Sequence, residues 1–155
     1  MRWQTSLPRI YTDERGLKHP EITEKIIGIF FDVYNELGHG FLESVYEQAF
    51  SIALGERGMF FERQGAVPVW FHGQQIGDFR ADIVIERKVI VELKTGRAID
   101  PGWEKQLLNY LRATEIEVGL LFNFGPEPQF RRFVFDNERK QIRVDPRKRS
   151  CFREK

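Results

Sequence analysis

The chain has 155 residues, 41% hydrophobic and 30% charged, with 24 basic against 23 acidic side chains. That length suits one domain with a core of its own, and the composition excludes a disordered polymer. A net charge of +1 excludes the strongly basic character of a non-specific nucleic-acid coat protein.

The single cysteine, Cys151, excludes an internal disulfide framework and any four-cysteine zinc or iron–sulfur site within one chain. It fits a reducing compartment. No run nears the ~18 apolar residues of a membrane span, and no apolar leader follows Met1. The expectation is a cytoplasmic protein without membrane contact. The charge is uneven along the chain. From Arg131 to Lys155 there are ten basic and four acidic residues, and the rest is net acidic. The basic end is either a solvated terminus or a phosphate-contacting arm.

Residues 1–19 lack a period and read as an irregular arm. From Pro20 to Leu37, Ile22, Ile26, Ile27, Phe30, Val33, Tyr34 and Leu37 recur at helical spacing. Gly38 and Gly40 end that helix. A second helix runs from about Leu42 to Arg57, with Gly58 as its stop. The period then shortens. Met59–Glu62 and Ala66–Phe71 read as two strands, and His72–Gln75 as a turn. Asp78–Ile85 and Val89–Lys94 are rich in Ile and Val and are close enough to form an antiparallel hairpin. Gly96–Gly102 is a loop, with Pro101 suited to a helix start. Trp103–Thr114 is the third helix, Glu117–Phe124 a buried strand, and Phe130–Asp136 and Gln141–Val144 two short strands. The expectation is an α/β protein with a mixed sheet flanked by helices. It forms a single domain over 20–145 with a basic tail over 146–155.

The segment from Asp82 to Lys94 carries the chemistry. Its strands are apolar almost throughout, yet Asp82, Glu92 and Lys94 sit inside them. An unpaired buried charge costs several kcal/mol. Side chains alternate along a strand, so Glu92 and Lys94 share a face, roughly 7 Å apart. If Asp82 stands opposite Glu92, Ile85 faces Val89 across the three-residue loop Glu86–Lys88. A two-residue turn would instead send Asp82 to the other face. The odd loop, or an equivalent bulge, is expected. Two carboxylates and an ammonium form either a structural ion pair or what a Mg²⁺- or Mn²⁺-dependent phosphodiesterase needs. Glu43 opens the second helix at the edge of its apolar stripe. It is either a first-turn glutamate favoured by the helix dipole or a further member of the set. Gln106 and Tyr110 share a helix face, where they can meet phosphate or a metal-bound water; alternatively they are a surface glutamine beside a core tyrosine. Trp103 is explained by core packing. His19, His39 and His72 are isolated and read as surface or turn residues.

Gly40-Phe-Leu-Glu43-Ser-Val-Tyr46, Asp82, Glu92-Leu-Lys94, Gln106-Leu-Leu-Asn-Tyr110-Leu-Arg112 and Val118-Gly119-Leu-Leu-Phe-Asn123-Phe-Gly125 together resemble the GxxExxY family of small prokaryotic proteins. The resemblance covers roughly residues 22 to 135. That family is similar to the PD-(D/E)XK nuclease superfamily, and its Gln-x-x-x-Tyr helix resembles that of RecB-like nucleases. The resemblance implies a restriction-endonuclease-like fold, with Glu43, Asp82 and Glu92 as acidic metal-site residues. It makes Lys94 the catalytic lysine and Gln106 and Tyr110 the RecB-like motif. Gly40 and Tyr46 are architectural. Ala81 replaces the proline before Asp82, and the cysteines of iron–sulfur members are missing.

The implied function is a Mg²⁺- or Mn²⁺-dependent nuclease, with DNA rather than RNA as the expected nucleic acid and a homodimer or a targeting partner protein as the expected partner. A nuclease-fold module that binds nucleic acid or protein without turnover is the alternative. Hydrolysis of a small nucleotide or other phosphoester is a third reading.

Overall fold

The computed structural model describes residues 18–140; the arm up to residue 17 and the chain from 141, including the strand expected at Gln141–Val144 and the basic tail, lie outside them. Two helices come first, α1 (Pro20–Leu37) and α2 (Glu43–Glu56). Strands β1 (Phe61–Phe71), β2 (Gln74–Ile85) and β3 (Val89–Lys94) follow, then helix α3 (Pro101–Ala113), then strands β4 (Val118–Phe124) and β5 (Pro128–Val134). The five strands lie in chain order in one sheet. Pairing is antiparallel except for β3 with β4, which run parallel with α3 as the crossover. The mixed α/β architecture agrees with the sequence expectation.

Strand boundaries differ: β2 starts at Gln74, within the expected turn, rather than at Asp78, and β5 runs over Pro128–Val134 rather than Phe130–Asp136. The two strands expected on either side of Gln64 are one. Gly65 pairs with Ala81 and carries the ladder through. Gln64 itself takes a left-handed φ of 50°, and its carbonyl accepts from Arg80 Nη1 at 3.1 Å.

Helix pairs and strand alternation sort the core into two layers. Ile26, Phe30 and Tyr34 of α1 and Phe50 and Leu54 of α2 pack on Ile83, Val91, Leu93, Leu120, Phe122 and Phe124. On the opposite face, Leu107 and Leu111 of α3 pack on Ala81, Val84, Ile90, Leu121 and Phe133. Every residue of β4 is buried, as a central strand covered on both sides must be. This explains a run that is apolar at every position but Asn123. Phe30 stacks on Phe122 with ring centroids 4.5 Å apart, and Tyr46 stacks on Phe124 at 4.0 Å.

The hairpin register is the expected one. Ile85 faces Val89, Val84 faces Ile90 and Ile83 faces Val91 across the three-residue loop Glu86–Lys88. The loop holds two consecutive left-handed non-glycine residues, Glu86 at φ 53° and Arg87 at φ 54°. Such conformations cost ~1–2 kcal/mol per residue. The loop is held by Lys88 N–H donating to the Ile85 carbonyl at 3.0 Å and Glu86 N–H to the Phe60 carbonyl at 2.8 Å. The Glu86 carboxylate accepts from Phe60 N–H at 3.1 Å, and the Arg87 guanidinium lies 5.3 Å over the Phe60 ring. Proline at 87, fixed near φ −65°, cannot follow this path. Arg87→Pro is expected to lower unfolding free energy by roughly 2–3 kcal/mol, and Arg87→Asn to change it by less than about 1 kcal/mol. Denaturant titration of both variants checks this.

Candidate active site

The continuing register brings Asp82 level with Glu92, and there the regular ladder gives way to side-chain bonds. Asp82 N–H approaches Glu92 Oε1 at 3.4 Å, and the Asp82 carboxylate accepts from Leu93 N–H at 2.8 Å. Both carboxyls are half-buried on the α3 face of the sheet. Burial, then the neighbouring Asp82 charge, push the Glu92 carboxyl up to about 8, although Lys94 acts to lower it. Glu92 therefore keeps its proton near neutral pH.

Lys94 follows on the same face, half-buried at the end of β3. Glu43 reaches the same neighbourhood from another layer. It is the first residue of α2, and its carboxyl is raised by burial, lowered by Lys94 and raised by Asp82. Its delivery depends on the interhelical turn. Gly38 and Gly40 take φ values of 67° and 110°, open to glycine. The Tyr46 hydroxyl donates to the Gly38 carbonyl at 2.7 Å and accepts from Phe41 N–H at 3.3 Å. Tyr46 itself is fully buried, as its place in the helix stripe required.

From α3, Gln106 Nε2 donates to the Tyr110 hydroxyl at 2.7 Å. The Tyr110 ring lies flat on Phe79, with centroids 3.5 Å apart. Burial raises the Tyr110 phenol, nearby Glu92 raises it further, and the Gln106 bond lowers it. The helix thus places Tyr110 within electrostatic reach of Glu92.

Six residues singled out in the sequence therefore fall on one region of the fold, at Asp82, Glu92 and Lys94 on the strands, Glu43 on α2, and Gln106 and Tyr110 on α3. Asp82 and Glu92 are in direct contact. Glu43 is coupled to Asp82 and Lys94 by charge. Among the described residues, however, no three His, Cys, Asp or Glu side chains gather into a closed ligand set. The donor chemistry still suits a hard divalent cation. The oxygens are carboxylate, and burial, followed by the Asp82 charge, holds a proton on Glu92 up to about 8.

Three residues given no role by sequence reasoning border Lys94. Trp103 packs against the α3-side core as expected, yet its ring also lies 5.8 Å below the Lys94 ammonium. Asn123, fully buried, bonds Gly96 in both directions. The signal for Asn123 was a polar residue inside the apolar β4 run. The signal for Gly96 was a glycine two residues past the strand lysine.

His39 and His72 are exposed, and His72 occupies the β1–β2 turn with φ 48°. No helix among the described residues is long and apolar enough to cross a membrane.

Comparison with known proteins sets this geometry in context. No curated protein matches the sequence. Two solved structures share a TM-score of 0.45 with it. One is the crystal structure of SSO0001, 19% identical, covering 60% of this chain; the chain spans half of that protein's length. The other is an alkaline exonuclease from Laribacter hongkongensis, 11% identical, covering 79% of this chain and 73% of that one. A family model described as the PD-(D/E)XK nuclease superfamily matches residues 20–133, from the start of α1 to within β5. With its restriction-endonuclease-like core of a mixed sheet between helices, the chain belongs to the PD-(D/E)XK nuclease superfamily.

Proposed function

We propose that the protein is a divalent-metal-dependent nuclease that hydrolyses phosphodiester bonds of DNA, on the GxxExxY branch with a RecB-like Gln106–Tyr110 helix. The observation that carries this reading is the joining of Asp82 and Glu92 on one face of the sheet, with Lys94 next along that face.

Asp82 and Glu92 would hold Mg²⁺ or Mn²⁺, with Glu43 as a further ligand, direct or through water. Such an ion supplies Lewis-acid stabilisation of phosphoryl charge and lowers the pKa of a water. The chain's own groups do the rest. The Lys94 ammonium donates to the attacking water or to a non-bridging phosphate oxygen, where charge grows during attack. Gln106 and Tyr110 donate to the neighbouring phosphate and fix the strand. Tyr110 keeps its proton at neutral pH because burial and Glu92 both raise its phenol, so it acts as a donor. Target selection falls to a second copy or a partner protein.

The experiment is incubation with linear, circular and single-stranded DNA plus Mn²⁺ or Mg²⁺, beside Asp82→Ala and Lys94→Ala. Divalent-dependent cleavage lost in both variants is expected. Cleavage that survives in both would defeat the assignment. No cleavage by the wild type, with salt-sensitive DNA binding kept, would favour a binding module.

A further inference from the structure

We propose that Trp103 and Asn123 are positioning residues for Lys94, acting through the backbone of Gly96; the inference rests on the nuclease reading of the site.

A lysine at a strand end has four rotatable bonds and loses up to ~2 kcal/mol of side-chain freedom when held still. Something beyond β3 must limit it. In the parallel register Lys94 stands beside Asn123 of β4. The Asn123 amide is fully buried in an otherwise apolar strand, a costly place unless both of its ends are satisfied. Both are. Gly96 N–H donates to Asn123 Oδ1 at 2.8 Å, and Asn123 Nδ2 donates to the Gly96 carbonyl at 3.0 Å. One side chain thus satisfies both backbone groups of the residue two positions after Lys94.

Two glycines make this approach possible. A Cβ at Gly125 would overlap the Gly96 carbonyl oxygen and sit 3.0 Å from Asn123 Nδ2. The Gly125 carbonyl is fixed in turn by the Tyr34 hydroxyl at 2.6 Å. A Cβ at Gly96 would lie 2.5 Å from Trp103 Cη2, so the indole rests on the bare Cα of Gly96. The same indole has the Lys94 ammonium 5.8 Å from its centroid. Attraction between an ammonium and an indole face is worth ~0.5–2 kcal/mol. Asn123 therefore fixes the turn, the turn seats Trp103, and the ring holds the ammonium on the side of Asp82 and Glu92. Neither the amide nor the indole touches the reacting atoms.

Two measurements test the proposal and separate it from its premise. The first needs no turnover. In metal-free protein labelled at lysine ¹³Cε, the Lys94 ε-methylene, identified by its loss in Lys94→Arg, should be shifted upfield by the indole ring current. The shift should vanish in Trp103→Leu and in Gly96→Ala, and survive in part in Trp103→Phe. The second is steady-state DNA cleavage with Mn²⁺. Trp103→Leu and Gly96→Ala should lower kcat by ~10–100-fold with KM little changed, as misplacement of a reacting group does. Trp103→Phe, which keeps an aromatic face, should recover most of that loss. A Lys94 signal with no upfield shift, or a shift that persists in Trp103→Leu, overturns the proposal whatever the activity. Wild-type cleavage with unchanged kcat in both Trp103→Leu and Gly96→Ala overturns it too. A ring-current shift that behaves as stated in a protein that cleaves nothing would uphold the contact and defeat the nuclease premise instead.

Discussion

Lys94→Met is expected to lower divalent-dependent DNA cleavage by ~10²–10³-fold, almost wholly in kcat. Methionine keeps most of the stem that packs at the end of β3 and removes only the charge. The register and the bond from Leu93 N–H to the Asp82 carboxylate do not involve the Lys94 side chain and should persist. Divalent-ion binding, measured by calorimetry, should also persist, because the lysine adds no oxygen ligand. The loss would then report charge stabilisation that matters most in the transition state. A rise in KM with kcat intact would mean that Lys94 binds the phosphate equally in the ground and transition states. Unchanged cleavage would remove it from the mechanism.

The second large effect joins the site to stability. The metal-free folded protein keeps the Glu92 proton to about 8, whereas an ordinary glutamate releases it at 4.5. Between those values the folded state binds more protons than the unfolded chain. Stability therefore falls as pH rises through this window, and the full penalty is present above it. Glu92→Gln removes the titrating group and keeps the shape. Without metal, the variant should match the wild type near pH 4.5 and exceed it by on the order of a few kcal/mol above pH 8. Added Mg²⁺ or Mn²⁺ should narrow the gap by stabilising the wild type more than the variant. Cleavage by the variant should be lost. Denaturant titrations across pH, with and without the ion, provide the measurement. A stability difference that stays flat from pH 5 to 9 would show that the carboxyl is not held protonated by its surroundings.

These two residues also show how far the sequence could be read. Period-two alternation and the buried cost of charge together required Asp82, Glu92 and Lys94 to share a face. That demand selected the odd loop, and the observed hairpin has it. Neither αL residue in the loop is a glycine or asparagine, so turn chemistry alone would not have suggested it. The demand of the buried face outweighed local preference. Gln64 taught the opposite lesson. Its neighbourhood looked like a gap between two strands, but cross-strand pairing at Gly65 overrode the local signal. Trp103 was legible as a core residue from its place on an amphipathic helix. Its second neighbour, Lys94, comes from a different element and left no trace in either local pattern.

What the sequence determined by itself was local or short-range. It set the helical stripes of α1 and α3, the buried and largely apolar strand β4 and the hairpin register. It also placed Gln106 and Tyr110 on one helix face. Each follows from a fixed repeat, 3.6 residues in a helix or two in a strand, acting on which side chains must leave water. Only the tertiary structure decided which distant groups meet. It laid β4 parallel beside β3, which set Asn123 next to Lys94 and brought its amide onto Gly96. It turned α2 so that Glu43 feels both Asp82 and Lys94. It set Phe79 beneath Tyr110. Such contacts depend on loop closure and on packing between layers, and no repeat along the chain encodes the side on which a crossover lands.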